Sequence, residues 1–126
     1  MIELNYKKDK ELFNKTADNW AEKIGTGRGG VKNTQIRKFY DNILELLQQS
    51  KDMNDDEFKK NLLPFVKMLN SKVAYASTRS SGGGKLVNKA FVDMMNSCIN
   101  QIEEKDDLKI FKLFFEAVIG FHKGRE

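Results

Sequence analysis

The segment 108–121 constrains the fold more than any other part of this sequence. Its apolar residues surround a helix almost completely, because only one narrow polar stripe interrupts them. That stripe consists of Lys109, Lys112, Glu116 and Lys123. A helix with so much apolar surface is buried at the centre of a bundle or in a subunit contact. We therefore predict a C-terminal helix that begins at an Asp106 cap and ends near Lys123. The rest of the fold is predicted to pack around this helix.

Two helices are predicted in the first half of the chain from apolar residues that recur at helical spacing. The first carries an apolar stripe from Phe13 to Ile24, and a glycine-rich segment at 25–30 ends it. The second begins near Asn33, whose side chain suits an N-cap, and it stops by Ser50.

A third and a fourth helix follow before the C-terminal one. Asn54 or the residue after it can cap the third helix, which continues to Arg79. Pro64 should kink or split this helix, because proline lacks a backbone donor. The fourth helix extends from Lys85 to about Glu103. The sequence therefore predicts an all-α fold, a compact bundle of about five helices.

The length of the chain, 126 residues, fits one domain. We assign residues 1–126 to a single helical domain, in which 1–8 form an extended tail and 124–126 are disordered. Cys98 is the only cysteine, so it cannot form an internal disulfide, and it favours a reducing cytoplasm. We expect a cytoplasmic protein without a membrane partner, because neither a leader pattern nor an apolar run long enough to span a bilayer is present.

The stretch TRSSGGGKLV, residues 78–87, is only superficially similar to a nucleotide phosphate loop. Arg79 stands where that motif requires its first glycine, and Leu86 stands where a serine or threonine would hold magnesium. The flanking segments are predicted helices, whereas the motif follows a strand. We therefore interpret the glycines as slack between the third and fourth helices.

No catalytic constellation is evident in the rest of the sequence. His122 is the only histidine, has no cysteine at metal-ligand spacing, and is expected to be half-exposed. A dispersed Ser–His–Asp triad stays open on the sequence alone, because its members need not be adjacent, but no nucleophile elbow supports one. Cys98 and the methionines after Met1 are interpreted as core filling. We expect neither enzymatic activity nor a metal or cofactor.

Basic and acidic residues are predicted to gather at opposite ends of the bundle. If successive helices alternate in direction, the first and third connectors share one end with the C-terminus. This basic end carries Arg28, Lys32, Arg37, Lys38, Arg79, Lys85, Lys89, Lys123 and Arg125. The acidic end carries Asp52, Asp55, Asp56, Glu57, Glu103, Glu104, Asp106 and Asp107. Ordinary helix capping explains the acidic end equally well, but it does not explain the basic end.

One face of the third helix combines cations with an aromatic residue. Lys72, Tyr75 and Arg79 follow helical spacing. Cations beside an aromatic ring suit a nucleic-acid backbone with accessible bases. The alternative is that Tyr75 is half-buried packing and that Lys72 is merely solvated.

Three blocks of the sequence resemble the small helical subunit of type III-A CRISPR effectors, the Csm complex. They are NTQIRKF at 33–39, KVAYASTR at 72–79 and FFEAVIGFHK at 114–123, in that family's order and spacing. Ser77 and Thr78 depart from the smaller pair usual before the arginine, and the 80–84 connector is unusually rich in glycine.

The resemblance implies a compact, non-catalytic bundle, several copies of which line the inner filament of a ribonucleoprotein. There they would hold the target RNA paired to the guide RNA, beside the other subunits. Matching positions give RNA-facing candidates at Lys32, Arg37, Lys38, Lys72 and Arg79. Lys85 and Lys89 are added from the charge layout of the basic end. Tyr75 and Glu116 also match, as packing or bundle-internal partners.

Repeated copies along an RNA need contacts with one another, which a basic end meeting an acidic end would supply. Two other functions remain open on the sequence alone. One is a protein-interaction adaptor that oligomerises through its apolar C-terminal helix and binds no nucleic acid. The other is a regulator of duplex DNA, which we disfavour because the connectors beside the basic helices look long and floppy rather than like a tight turn.

Overall fold

The computed structural model describes residues 2–81 and 84–126, and it confirms an all-α fold apart from a two-residue ladder. Its helices are a π-helical turn (Leu12–Thr16) followed by α1 (Ala17–Ile24), α2 (Asn33–Ser50), α3 (Asp55–Asn61), α4 (Leu63–Lys67), α5 (Leu69–Thr78), α6 (Lys89–Ile99) and α7 (Lys105–Lys123). The ladder pairs β1 (Ser80–Ser81) with β2 (Gly84–Lys85). None of the described helices combines the length and the apolar character needed to cross a membrane. Of the glycines predicted to be slack, Gly84 lies in β2, and residues 82 and 83 lie outside the described residues.

The C-terminal helix α7 lies at the centre of the bundle, as its composition predicts. It packs against α1 and α2, and its apolar residues from Leu108 to Ile119 supply much of the core. Phe115 contacts Phe91 of α6 and Tyr40 of α2, with ring centroids 6.3 and 6.0 Å apart. Because α1, α2 and α6 all pack against the apolar surface of α7, the bundle is organised around this helix.

The region predicted as one long third helix consists of three short ones. The first break is at Leu62 (φ −124°), and Pro64 then occupies the first turn of α4, where no backbone donor is needed. A second boundary, which the sequence did not predict, separates α4 from α5 at Met68, although the backbone angles of Met68 remain helical. There are therefore more helices than the five expected.

Helix α2 begins at Asn33, as predicted, but three details of the helix starts differ from the prediction by one to four residues. The N-cap of α2 is Lys32, and the Oδ1 atom of Asn33 is buried without a partner. Asn88 caps α6 by accepting a hydrogen bond from the Phe91 amide, so Lys85 lies in β2 and not in a helix. The third is α7, whose N-cap is Glu104, paired reciprocally with Asp107, and not Asp106.

The first connector, the start of α6 and the C-terminus lie at the same end, as predicted. The Asn88 side chain donates hydrogen bonds to the carbonyl oxygens of Ile24 and Gly29. His122 Nε2 lies 2.8 Å from the carbonyl oxygen of Gly25. His122 is fully buried, so the expectation that it is half-exposed is wrong.

The second connector and the start of α7 lie together at the opposite end. The Lys105 ammonium donates to the carbonyl oxygen of Met53, which brings residues 51–54 against α7. Ile2 and Leu4 are buried beside the end of α6, where the Gln101 amide accepts from the Leu4 amide and donates to the Ile2 carbonyl. The assignment of residues 1–126 to a single domain stays a prediction.

Candidate nucleic-acid interface

All the cations predicted to face RNA are exposed. They are Lys32, Arg37, Lys38, Lys72, Arg79, Lys85 and Lys89. Within residues 2–81 and 84–126, Lys89 alone of this set forms an ion pair, with Asp93 at 2.9 Å. The others carry charges that no described carboxylate neutralises, and free cations of this kind are what a polyanion requires.

The start of α2 presents Arg37 on a fixed aromatic support. The Arg37 guanidinium lies over the Tyr40 ring, 5.9 Å from its centroid. The Tyr40 hydroxyl donates a hydrogen bond to Glu116 of α7, which also pairs with Lys112 at 3.0 Å. Glu116 is therefore a bundle-internal partner, as predicted, and it holds the ring on which Arg37 rests.

This contact shifts the pKa values of both partners. Partial burial, and then the hydrogen bond to Glu116, raise the pKa of Tyr40 to about 12. The hydrogen bond from Tyr40, and then the one from Lys112, hold the pKa of Glu116 below its ordinary value. Tyr40 is therefore a neutral donor and Glu116 a carboxylate acceptor at neutral pH, which is the state in which their hydrogen bond is strongest.

The connector 25–32, which we call loop one, is held in place and is not floppy as the sequence suggested. Gly25 and Gly29 adopt positive φ values of 73° and 83°, which favour glycine. Gly30 packs so tightly that an added Cβ would lie 2.5 Å from the Gly25 carbonyl carbon. With Asn88 also bonded to its backbone, this loop presents the exposed Arg28 on a defined path.

The ladder after α5 brings the backbone around Arg79 close to that around Lys85. Ser80 pairs with Lys85, and the Leu86 amide donates to the carbonyl oxygen of Arg79 at 2.9 Å. Arg79, which directly precedes β1, and Lys85, which lies in β2, are therefore neighbours across one turn. The sequence did not predict this ladder, because residues 80–85 include no apolar residue that would indicate a strand.

The outward face of α5 carries an exposed aromatic residue. Tyr75 is 62% exposed, so its interpretation as packing is wrong. The Arg79 guanidinium lies over its ring, 5.3 Å from the centroid, and donates to the Tyr75 hydroxyl at 3.1 Å. Met68 is 49% exposed on the same face and is not core filling. Lys72 lies farther along, beside α2 residues Asn42 and Gln49, and so outside the basic end.

Capping accounts for part of the acidic end. Glu57 forms a capping box with Asn54, and the Asp107 carboxylate accepts from the Glu104 amide. Asp56 and Asp106, which are exposed, form no ion pair with any described residue. These two carboxylates are therefore available to an outside partner.

Cys98 and His122, the thiol and the imidazole of the chain, are both in the interior. Burial raises the pKa of the Cys98 thiol far above its ordinary value, which makes it a poor nucleophile. The buried imidazole of His122 contacts a backbone carbonyl. No cluster of possible metal ligands occurs in the part of the chain that the structure describes.

The fold and this surface define a small all-α protein that displays free cations along one end and one side. The Csm2 Type III-A family model matches residues 7–126, nearly the whole chain, and the chain belongs to that family. It is a small subunit of the type III-A CRISPR effector, the Csm complex, as the sequence resemblance predicted. Searches of curated proteins and of solved structures found no match.

Proposed function

We propose that this subunit is a non-catalytic RNA-binding component that lines the filament of the effector and holds the guide–target RNA. The observation that carries the proposal is the set of exposed cations, of which Lys89 alone has a carboxylate partner among the described residues. Lys72 would contact the RNA along the side of the subunit. The contacts at its basic end would come from Lys32, Arg37, Lys38, Arg79, Lys85 and Lys89. Their targets are phosphates, which fix position without reading sequence.

Binding of this kind gains free energy because cations displace counterions from the RNA. The affinity should therefore fall steeply with salt, with a log–log slope proportional to the number of phosphate contacts. The aromatic support of Arg37 and Arg79 limits the freedom that each guanidinium loses on binding. These two arginines are therefore the best positions at which to test the proposal.

The experiment is co-purification of the tagged subunit with guide RNA and the large subunits. Arg37→Ala combined with Arg79→Ala should reduce the RNA retained by the assembled complex and lower the salt slope. Lys59→Ala with Lys60→Ala is the matched control, because it removes the same charge from exposed positions of α3. Unchanged retention in the arginine variant, with an unchanged helical circular-dichroism signal, would refute the proposal.

We also propose that copies associate head to tail, with the basic end of one meeting the acidic end of the next. Asp56 and Asp106 support this, because neither forms an ion pair within the described chain. Complementary charge of this kind sets register and speeds encounter more than it adds affinity.

The alternative of an adaptor without nucleic acid is less well supported. That function was assigned to the apolar C-terminal helix, whose Phe111, Phe114 and Phe115 are fully buried within the bundle. The surface required for oligomerisation through α7 is therefore already used by the fold. Retention on RNA that is insensitive to salt would favour the adaptor.

A further inference from the structure

One continuous face of α4 and α5 alternates exposed apolar and basic side chains. Met68 has right-handed helical angles (φ −63°, ψ −19°), so the helical turn continues from α4 into α5. Side chains spaced by three and four residues therefore share one face. These are Phe65, Met68, Lys72 and Tyr75. Arg79 follows the end of α5 in extended conformation and joins them because its guanidinium lies over the Tyr75 ring. We call these five residues the α4–α5 face.

The apolar side chains of this face are not needed for the core. The opposite face supplies Val66, Leu69 and Val73, all of which are buried. By contrast, Phe65 is 55% exposed. Besides Met68 and Tyr75, the large apolar residues exposed among the described residues are Tyr6 and Leu44, which lie on other elements. Large exposed apolar side chains that cluster on one face indicate an interaction surface.

A shallow groove of about 240 Å³ separates this face from α2. Phe65 and Met68 line one side of it, and the amide side chains of Asn42 and Gln49 lie on the other. Glu45 also lines the groove, and its carboxylate disfavours a phosphate inside it. A flat, uncharged group that carries hydrogen-bonding atoms suits the groove better, and an RNA base is such a group.

The cations of the α4–α5 face determine the choice of partner. Lysine is depleted from the centres of protein–protein interfaces, yet Lys72 lies between the exposed rings. A surface on which cations alternate with aromatic rings is instead typical of proteins that bind single-stranded nucleic acid. In a duplex the faces of the bases are covered by their neighbours, so only unpaired bases could reach these rings.

We propose that the α4–α5 face binds single-stranded RNA by stacking bases on Tyr75 and Phe65, while Lys72 and Arg79 contact phosphates. This inference rests on the proposed RNA-binding function and adds that the α4–α5 face binds unpaired nucleotides. Phe65 and Tyr75 are about 15 Å apart along the helix, at about 1.5 Å per residue. That exceeds the roughly 3.4 Å per nucleotide of a stacked strand, so the two rings take non-adjacent bases.

The test uses the full chain and two probes, a 20-nucleotide oligouridine and an RNA duplex of equal length. Tyr75→Leu with Phe65→Leu removes both rings and keeps apolar bulk. Its affinity for oligouridine should fall by at least about tenfold, since stacking on aromatic side chains contributes substantially per base. The salt slope should not change, because no cation is removed. The affinity for the duplex should fall much less than the affinity for oligouridine, because the duplex loses only the support that Tyr75 gives to Arg79. Tyr75→Phe keeps the ring and should bind nearly as wild type does.

Tyr6→Leu is the matched control, because Tyr6 is 46% exposed on the N-terminal segment, away from this face. An equal loss for the duplex, or a changed salt slope, would overturn the stacking inference. Unchanged RNA binding together with lost co-purification of the large subunits would overturn it too, and would assign the face to a protein. If the wild type binds neither probe, the proposed function fails. If the wild type binds oligouridine and the Tyr75→Leu, Phe65→Leu variant binds it with equal affinity, only this inference fails.

Discussion

Asn88 Nδ2 donates a hydrogen bond to the carbonyl oxygen of Ile24, 2.8 Å away and across the basic end of the bundle. The same nitrogen donates to the Gly29 carbonyl at 3.1 Å, and Asn88 Oδ1 accepts from the Phe91 amide at 3.0 Å. One side chain therefore joins loop one to the first turn of α6. It holds together two segments that carry candidate RNA contacts, Arg28 on one side and Lys89 on the other.

Asn88→Ser should lower RNA affinity more than it lowers helix content. Serine keeps the capping acceptor of α6 but cannot donate to the carbonyls of both Ile24 and Gly29. Leaving the Ile24 carbonyl unpaired should cost about 1–3 kcal/mol of the free energy of unfolding, measurable by denaturant titration. RNA titration of the still-folded variant should show weaker binding and a smaller salt slope, because the cations of loop one lose their position.

The control for this variant is Asn54→Ser, which alters a cap of the same type at the acidic end. It should leave RNA binding unchanged. If Asn88→Ser binds RNA with wild-type affinity and salt slope, loop one does not depend on Asn88 for its function.

Reversing charge at Asp56 and Asp106 should weaken contact between copies of the subunit. Both carboxylates are exposed and form no ion pair with the described residues, so lysine at these positions removes attraction without breaking an internal contact. We exclude Asp107 from the test, because it accepts from the Glu103 and Glu104 amides. Native mass spectrometry of the assembled complex should show fewer copies of the subunit.

The matched control reverses charge at Asp41, which is exposed on α2, outside the acidic end. The effect of the double variant should decrease as salt rises, since screening removes surface attraction. Full copy number in the Asp56 and Asp106 variant at low salt would exclude head-to-tail contact through these carboxylates.

The sequence predicted those features that depend on local chemistry. The central position of α7 follows from its apolar composition, and the cap at Asn54 follows from its side chain and the acids after it. Features decided by distant parts of the chain were missed. His122 is buried because loop one supplies a carbonyl oxygen, and Tyr75 is exposed because the opposite face of α5 fills the core. The spacing of residues in the sequence predicts neither the burial of His122 nor the exposure of Tyr75.

Alanine at four glycines should give a graded series of unfolding free energies. Gly30→Ala should be the most destabilising, because the new Cβ would lie 2.5 Å from backbone atoms of Gly25. Gly27→Ala meets no atom within 4 Å, but its φ of +66° is left-handed and should cost about 1–2 kcal/mol. Gly124→Ala has ordinary contacts at 3.6 Å and should be nearly neutral. Gly120→Ala lies within α7 with open space and should stabilise by about 0.4–1 kcal/mol.

Urea unfolding followed by circular dichroism measures this series. The order of the four variants is the prediction, and a Gly30→Ala protein as stable as Gly124→Ala would contradict the close approach in loop one. RNA binding adds a second readout. Gly27→Ala should weaken it while Gly120→Ala should not, because Gly27 lies in loop one and Gly120 lies in α7.

The contact between Tyr40 and Glu116 should make stability depend on pH at both extremes. The pKa of Glu116 is lowered in the folded state, so its contribution is present above the ordinary glutamate value of about 4.3 and is lost as pH falls through the folded value. The pKa of Tyr40 is raised to about 12, so its contribution is present below about 10 and is lost as pH rises toward 12.

Glu116→Gln and Tyr40→Phe test the two limbs separately, by denaturant unfolding across pH. Glu116→Gln should be less stable than wild type near pH 7, and the difference should shrink as the pH falls below about 4.3. Tyr40→Phe should be less stable than wild type near pH 7. Its deficit in the free energy of unfolding should shrink above about pH 10, because the wild type then loses the stabilisation that Tyr40 contributes. The Glu116 carboxylate is partly solvated, with the side chain 51% exposed, so its effect should stay below about 1 kcal/mol. A deficit for Glu116→Gln that stays constant down to pH 2 would show that the carboxylate gains nothing from Tyr40 and Lys112.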